Sequence, residues 1–405
     1  MEALVRTIDT AIVNCDFVTL ASVFSDRGTT DSWHAVGQGE QRSVAAHFVQ
    51  AVVANEAFLV QALSNSTNSI SVEDFMIAAL NHLPATVDRA ADNTLRQRLF
   101  DAKINRDDVD YVGAAQILAG MRMDDDPQSI YYLTASARTD VYVKIAECFL
   151  AEDHVVEADA AVTKAGTVAE AIPDKAAHTA LLLRYKSTYV RVLDANRKFL
   201  AAAQRYHELS QSGGDLIDAD DLLQLLGRAV TCAILAPNGP QRQRVLAHIV
   251  EDPRLPQLDQ IDAFATHRTI LQKMCRHQIL PRAQLETFEA SLAEHQKAIM
   301  GDGLTIMERG VVEHNMMAVS KLYRTIYMDK LAHILDLPVP KAEALAAKMI
   351  TDGSLKACLD QVEGLLEFQT PEPPTQRWDR NITSLCVELN QVAEEITGFR
   401  SRQGL

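Results

Sequence analysis

Residues 325–368 read TIYMDKLAHILDLPVPKAEALAAKMITDGSLKACLDQVEGLLEF, and this stretch decides the fold. This stretch and the residues before it predict a helix at 311–323, a very short strand at 325–327 and a short helix at 331–335. A helix at 340–350 and strands at 355–359 and 365–368 are predicted to follow. Pro340 suits the first turn of its helix, because the N–H that proline lacks has no helical partner there. Gly353 can take the left-handed conformation that ends the same helix. Helix, short strand, two helices and a hairpin is the order of a winged helix.

A proline-rich run at 370–374, TPEPP, follows the hairpin and reads as a stiff linker. Beyond it, apolar residues recur at alternating spacings of four and three, a heptad pattern that predicts a narrow stripe on one helix. The stripe, called the seam below, consists of Trp378, Ile382, Leu385, Leu389, Val392, Ile396 and Phe399. Two interpretations stay open: a terminal helix packed on its own domain, or a helix that joins a bundle with other chains. The preceding linker favours the bundle.

The chain before residue 305 is rich in alanine and leucine and predicts helices of 12 to 20 residues separated by short breaks. A weak repeat recurs at an offset of 44 residues, where Ala114, Ala158 and Ala202 align. One helical pair cannot bury its own apolar face, so such pairs stack. We therefore expect a mainly α chain with a tetratricopeptide-like or HEAT-like solenoid at 1–305, a winged helix at 306–370, and the linker and terminal helix at 371–405. The alternative is a coincidence of amphipathic helices.

Composition limits the function classes. The chain has 405 residues, with 39 Lys and Arg against 54 Asp and Glu, and its formal net charge is −15. This acidic balance disfavours nucleic acid and anionic membranes as partners, because both attract concentrated positive charge. Six cysteines without a C-x-x-C pair indicate a reducing compartment rather than a disulfide framework or a structural zinc site. The absence of a long apolar stretch and of a signal-peptide pattern leads us to expect no membrane span and no secretion.

A search for catalytic motifs finds no H-E-x-x-H, G-x-S-x-G or P-loop spacing. Glu313-His314 lacks a second ligand one turn later, so a helix-face or buried, hydrogen-bonded histidine is the better interpretation. The predicted winged helix also suits DNA poorly. Its third helix offers only Lys341 and Lys348 against Glu343 and Asp352, and residues 311–370 carry more acidic than basic side chains. We expect no catalytic residue, no metal and no cofactor, and an open sheet edge that another chain can extend.

A helical repeat, a winged helix and a terminal helix are the layout of PCI-domain proteins, and several blocks from about residue 141 to 399 resemble the PCI-domain subunits of the COP9 signalosome. The blocks are RVLDANRKF at 191–199, AAQRY at 202–206, ELS at 208–210, CAILA at 232–236, QR at 241–242 with Arg244, HQKA at 295–298 with DG at 302–303, EHN at 313–315, SKLY at 320–323 and WD at 378–379. Residues 1–140 match only in helical character.

The resemblance implies a non-catalytic scaffold and substrate-sensing subunit of the complex that removes a ubiquitin-like modifier from cullins. It implies that other PCI subunits join edge to edge and meet in a helical bundle. Further implied partners are metalloprotease-like subunits and, as substrate, a cullin-RING ligase of the ubiquitin pathway. The resemblance, together with cysteines that indicate a reducing compartment, leads us to expect that the protein is located in the cytoplasm and nucleus. A PCI subunit of the proteasome regulatory lid is the alternative, and nucleic-acid-binding and enzymatic functions are more distant ones.

The resemblance also singles out the loop at 297–306, which in this family contacts the inactive metalloprotease-like subunit and couples substrate binding to release of the active site. The candidate interface residues are Ile299, Met300, Gly301, Asp302 and Gly303. Two apolar residues on a loop flanked by glycine suit an interface if they are exposed. The alternative is that Ile299 and Met300 continue the preceding helix into the core.

Overall fold

The computed structural model describes residues 2–14, scattered positions from 16 to 55, and residues 89–105, 109–129, 131–212, 217–299, 301, 303–369 and 374–403. The chain divides into two compact units, Met1–Ala233 and Ile234–Leu405. The division falls inside a helix and does not coincide with the expected change at residue 305. The boundaries at 305 and 370 stay predictions.

The described part of the first unit is helical apart from turns and one isolated bridge. Its helices are α1 (Glu2–Val13), α2 (Arg89–Ile104), α3 (Tyr111–Ala119), α4 (Ala135–Ala151), α5 (Val155–Glu170), α6 (Thr179–Ala195), α7 (Phe199–Ser212) and α8 (Ala219–Leu235), the last of which ends in the second unit. Consecutive helices from α2 to α7 pack against one another, and α4 also packs on α6. Side-chain caps fix two of the starts, because Asp110 accepts from the Gly113 N–H and Thr134 accepts from the Ala137 N–H.

The 44-residue offset corresponds to one pair of helices. Ala114, Ala158 and Ala202 lie on α3, α5 and α7 and are each completely buried. The residues one turn later, Leu118 and Val162, are buried in the same core cluster as the first two alanines. Small residues at these positions let neighbouring helices approach closely, and the larger ones fill the space beside them. The predicted helical-repeat architecture is therefore confirmed for the described helices.

The second unit continues with helices and ends in a small sheet and a long helix. Its elements are α9 (Pro240–Val250), α10 (His267–Cys275), α11 (Glu286–Ser291), α12 (Ile306–Leu322), β1 (Thr325–Tyr327), α13 (Met328–Leu335), α14 (Val339–Thr351), β2 (Ala357–Asp360), β3 (Leu365–Phe368) and α15 (Pro374–Gln403). Short 3₁₀ turns connect α9 to α10, α10 to α11, and α11 to α12.

The order from α12 to β3 is that of a winged helix, as predicted. The three strands form an antiparallel sheet in the order β1-β3-β2, with Ile326 opposite Leu366 and Leu359 also opposite Leu366. The core under this sheet combines side chains from every element, including Met316, Val319, Ile326, Leu331, Leu345, Leu366 and Phe368. Left-handed backbone at Gly353 and Gly364, with φ of 70° and 63°, ends α14 and turns the hairpin.

Candidate protein-interaction surfaces

Helix α15 carries the predicted seam and leaves it open. It begins at Pro374, a residue that was predicted to belong to the linker; the linker prediction is wrong at this position, since a proline is tolerated in a first helical turn. The other linker positions, 370–373, fall outside the described residues. The exposed seam residues are Trp378, Ile382, Leu385, Leu389, Val392 and Ile396, with exposed fractions between 42% and 69%. Phe399 lies in the helix, but its side chain is outside the described part of the structure. Every α15 side chain that the structure describes is exposed, so a continuous apolar stripe of this helix faces solvent.

The loop between residues 297 and 306 forms a short hairpin. Ile299 and Thr305 make an antiparallel bridge, and the Ile306 N–H donates to the Ala298 carbonyl oxygen at 3.3 Å. Gly303, with φ of 73°, supplies the left-handed turn. Ile299 is 74% exposed, so it does not continue the preceding helix into the core. Gly301 lies on the same turn, whereas Met300 and Asp302 fall outside the described residues.

A capping box holds the end of this loop to α12. The Thr305 hydroxyl accepts from the Glu308 N–H at 3.1 Å, and the Glu308 carboxylate accepts from the Thr305 N–H at 2.9 Å. The loop is therefore anchored to a helix whose opposite end belongs to the winged-helix core.

The winged-helix sheet has two outer strands. Because β3 lies in the centre, β1 and β2 are the edges, and no further strand of the described residues pairs with them. Tyr327 on β1 and Cys358 on β2 are exposed. Unpaired strand edges are sites at which another chain can add a strand, and this geometry agrees with the sequence prediction of an open edge.

The run Glu313-His314-Asn315, which contributed to the family resemblance, is an internal anchor. Asn315 receives a hydrogen bond from the Leu280 N–H at 2.8 Å and donates to the Leu280 carbonyl at 3.0 Å. His314 Nε2 donates to the Gln278 carbonyl at 3.0 Å, which makes Nε2 the protonated nitrogen. Burial lowers the pKa of His314 to about 4. These bonds fasten the segment after α10 to α12, and the predicted buried, hydrogen-bonded histidine is confirmed.

Arg242 is a second buried anchor and was missed by the sequence analysis. Its side chain is completely buried, and it donates to the Ile234 carbonyl oxygen at 2.8 Å, in the last turn of α8. Burial lowers the pKa of its guanidinium to about 10, while the charge of Glu313 opposes that shift. Arg242 belongs to the QR block at 241–242 that contributed to the family resemblance, but no local pattern there predicts a buried guanidinium.

Within the described ranges, His, Cys, Asp and Glu side chains do not gather in a group of three or more that would hold a metal ion. Among the helices that the structure describes, none combines the length and apolar character needed to cross a bilayer.

Comparison with known proteins agrees with the architecture. A model described as PCI domain matches residues 271–370, the region from α10 through the winged helix. A second model, described as PSMD12/CSN4, N-terminal, matches residues 89–220 in the helical repeats. The fold and these two matches define a PCI-domain protein.

Three curated relatives identify the family more narrowly, and all three are named COP9 signalosome complex subunit 4. The protein from Drosophila melanogaster is 36% identical over 285 residues, which cover 70% of this chain and 66% of that protein. The protein from Arabidopsis thaliana is 35% identical, with 74% of this chain and 73% of that protein covered. The protein from Emericella nidulans is 32% identical, with 84% and 81% covered. The chain belongs to the COP9 signalosome subunit 4 family.

Proposed function

We propose that this chain is a non-catalytic scaffold and substrate-sensing subunit of the COP9 signalosome, the complex that deneddylates cullin-RING ubiquitin ligases. The observation that carries the proposal is the uncovered seam of α15 in a chain of this family. Burying one Leu, Ile or Val side chain contributes about 1.5–3 kcal/mol, so a helix whose seam leaves six large apolar residues exposed gains its stability by packing against other helices. The partners are the other PCI subunits and the metalloprotease-like subunits.

The seam is tested by changing Leu385 and Leu389 to Asp in the chain expressed with the other subunits. Carboxylates in an apolar bundle are costly to bury, so co-purification with other PCI subunits is expected to fall at least tenfold. The matched control changes Ser384 and Gln391 to Asp, which adds the same charge on the outer face of the same helix. Equal recovery of both variants would contradict the bundle.

The loop at 297–306 is assigned to contact with the inactive metalloprotease-like subunit, where it couples cullin-RING binding to release of the active site. The exposure of Ile299 and the firm anchoring of Thr305 support a contact role. Deleting 300–303 is expected to raise the basal isopeptidase activity of the assembled complex while its composition stays intact. Equal basal rates with and without the deletion would count against this coupling.

The chain itself is assigned no catalytic residue, because its sequence lacks the ligand spacing of a metalloprotease and the family models that match it describe a PCI domain and a helical region. The purified single chain is expected to show no isopeptidase turnover on a neddylated cullin. Metal-dependent turnover by the single chain would overturn this assignment.

The proteasome regulatory lid is the alternative assembly. The names of the relatives favour the signalosome. Native mass spectrometry of the endogenous complex separates the two assemblies, because the co-purified partners differ. Imaging of a fluorescent fusion tests the proposed location in the cytoplasm and nucleus.

A further inference from the structure

A small apolar cavity opens in the second unit beside the loop that ends at Thr305. Its volume is about 110 Å³, and it lies between residues 280–289, α12 and the end of α13. Among its lining residues, Leu285, Met307 and Val311 are buried, while Leu304 and Leu337 are partly exposed. Sites for small molecules usually measure about 300–1,000 Å³, so a space of this size suits one inserted side chain.

The rim of the cavity is acidic. It carries the carboxylates of Glu286, Glu289, Glu308 and Asp336 and a single guanidinium, that of Arg282. Arg282 lies 3.6 Å from an oxygen of Glu308 and 3.6 Å from one of Asp336, and its side chain is 68% exposed. These distances are longer than hydrogen bonds, and exposed ion pairs are weak. One weakly paired guanidinium does not neutralise four carboxylates, so the rim keeps an excess of negative charge. A basic partner would balance that charge.

The cavity adjoins the hairpin loop of the proposed interface. Leu304 lines the cavity and belongs to the same loop as the exposed Ile299. The loop is fixed to α12 by the capping box between Thr305 and Glu308, and Glu308 is also a rim residue. Binding hot spots are usually large side chains that fill a preformed pocket within an interface. The cavity offers such a pocket next to the proposed interface loop.

We propose that this cavity is the anchor site for an extended segment of another signalosome subunit, with one large apolar residue inside the cavity and Lys or Arg next to it in sequence. The proposal rests on the proposed function, because it requires the chain to work inside a complex. The acidic rim selects the basic neighbours, and the apolar lining selects the anchor. A second copy of this chain is a poorer occupant, because its own formal charge is −15.

The occupant can be identified in the assembled complex. Leu337, at the edge of the cavity, is replaced by the photo-crosslinking residue p-benzoylphenylalanine, the complex is purified and irradiated, and the attached peptide is sequenced by mass spectrometry. The expected peptide comes from another subunit and has a large apolar residue within two positions of Lys or Arg. A crosslink only within this chain, or to a peptide without a basic residue, would overturn the proposal.

The charge requirement is tested on the same crosslink. Glu286→Lys combined with Glu289→Lys is expected to lower its yield about fivefold, because two attractions of the rim become repulsions. The matched control is Glu251→Lys combined with Glu363→Lys, two exposed positions of the second unit that do not line the cavity and that give the same change in charge. Arg282→Gln is expected to raise the yield, because it removes the competing cation.

The outcomes separate this proposal from the proposed function. If the chain does not co-purify with signalosome subunits before irradiation, the proposed function fails and the anchor site fails with it. If the complex assembles normally and the rim variants crosslink as well as the control, only the anchor site is contradicted.

Discussion

At the scale of single residues, the buried polar side chains hold the second unit together. Asn315 satisfies both backbone groups of Leu280, a residue whose own side chain is buried. A buried N–H or carbonyl that loses its partner costs about 1–3 kcal/mol. The amide of Asn315 therefore helps to hold the segment around Leu280 in place, on the same energy scale as the burial of one apolar side chain.

Replacing Asn315 by Leu is expected to loosen this segment, because both Leu280 groups lose their partner. Hydrogen–deuterium exchange of the peptide 276–285 should accelerate at least about tenfold, which corresponds to about 1.4 kcal/mol. Asn390→Leu, the same change on the exposed helix α15, serves as control and should leave that peptide unchanged. Unchanged exchange in Asn315→Leu would show that the amide is dispensable.

His314 gives the fold a dependence on pH. Its pKa is lowered to about 4, chiefly by burial and further by the charges of Arg242, His277 and Lys321, whereas its ordinary value is 6.5. The unfolded chain therefore binds a proton that the native chain rejects between those values, and this contribution is present above pH 6.5 and lost as the pH falls towards 4. The urea midpoint should fall from pH 7 to pH 5, and less steeply in His314→Gln. Parallel slopes in the two proteins would contradict this role.

At the scale of elements, the sequence patterns predicted helices and turns well, but they did not predict hydrogen bonds between residues that are far apart in the sequence. The seam, the 44-residue offset and the hairpin at Gly364 could be predicted because residue spacing and turn-forming residues are local properties of the sequence. Arg242 and Asn315 have partners 8 and 35 residues away along the chain. No periodicity predicts such pairs, because the fold alone brings them together. The cavity escaped prediction for the same reason, since three separate segments line it.

Helix α15 is the element whose environment should change most on assembly. Alone, its described side chains are all exposed, and a helix without tertiary packing opens readily. Hydrogen–deuterium exchange across 378–396 is expected to slow at least about tenfold when the chain joins the complex, while the peptides of α12, already packed in the winged-helix core, change little. Equal exchange of α15 in the free and assembled chain would contradict a covered seam.

At the scale of the whole molecule, the buried clusters of the two compact units can be distinguished from α15, the last helix of the second unit. The units hold their own buried clusters, while α15 adds no buried side chain among those described. A chain that ends after Gln369 should therefore keep the helical circular dichroism and thermal transition of its two units and lose assembly with other PCI subunits. A lower unfolding temperature in the truncated chain would mean that α15 stabilises the fold itself.

The open seam also bears on the supply of subunits in a cell. A copy that has found no complex displays an apolar strip from Trp378 to Ile396, the kind of surface that chaperones hold and proteases remove. On the proposed function, assembly covers this strip and protects the chain, so we expect the abundance of this chain to follow that of the other subunits.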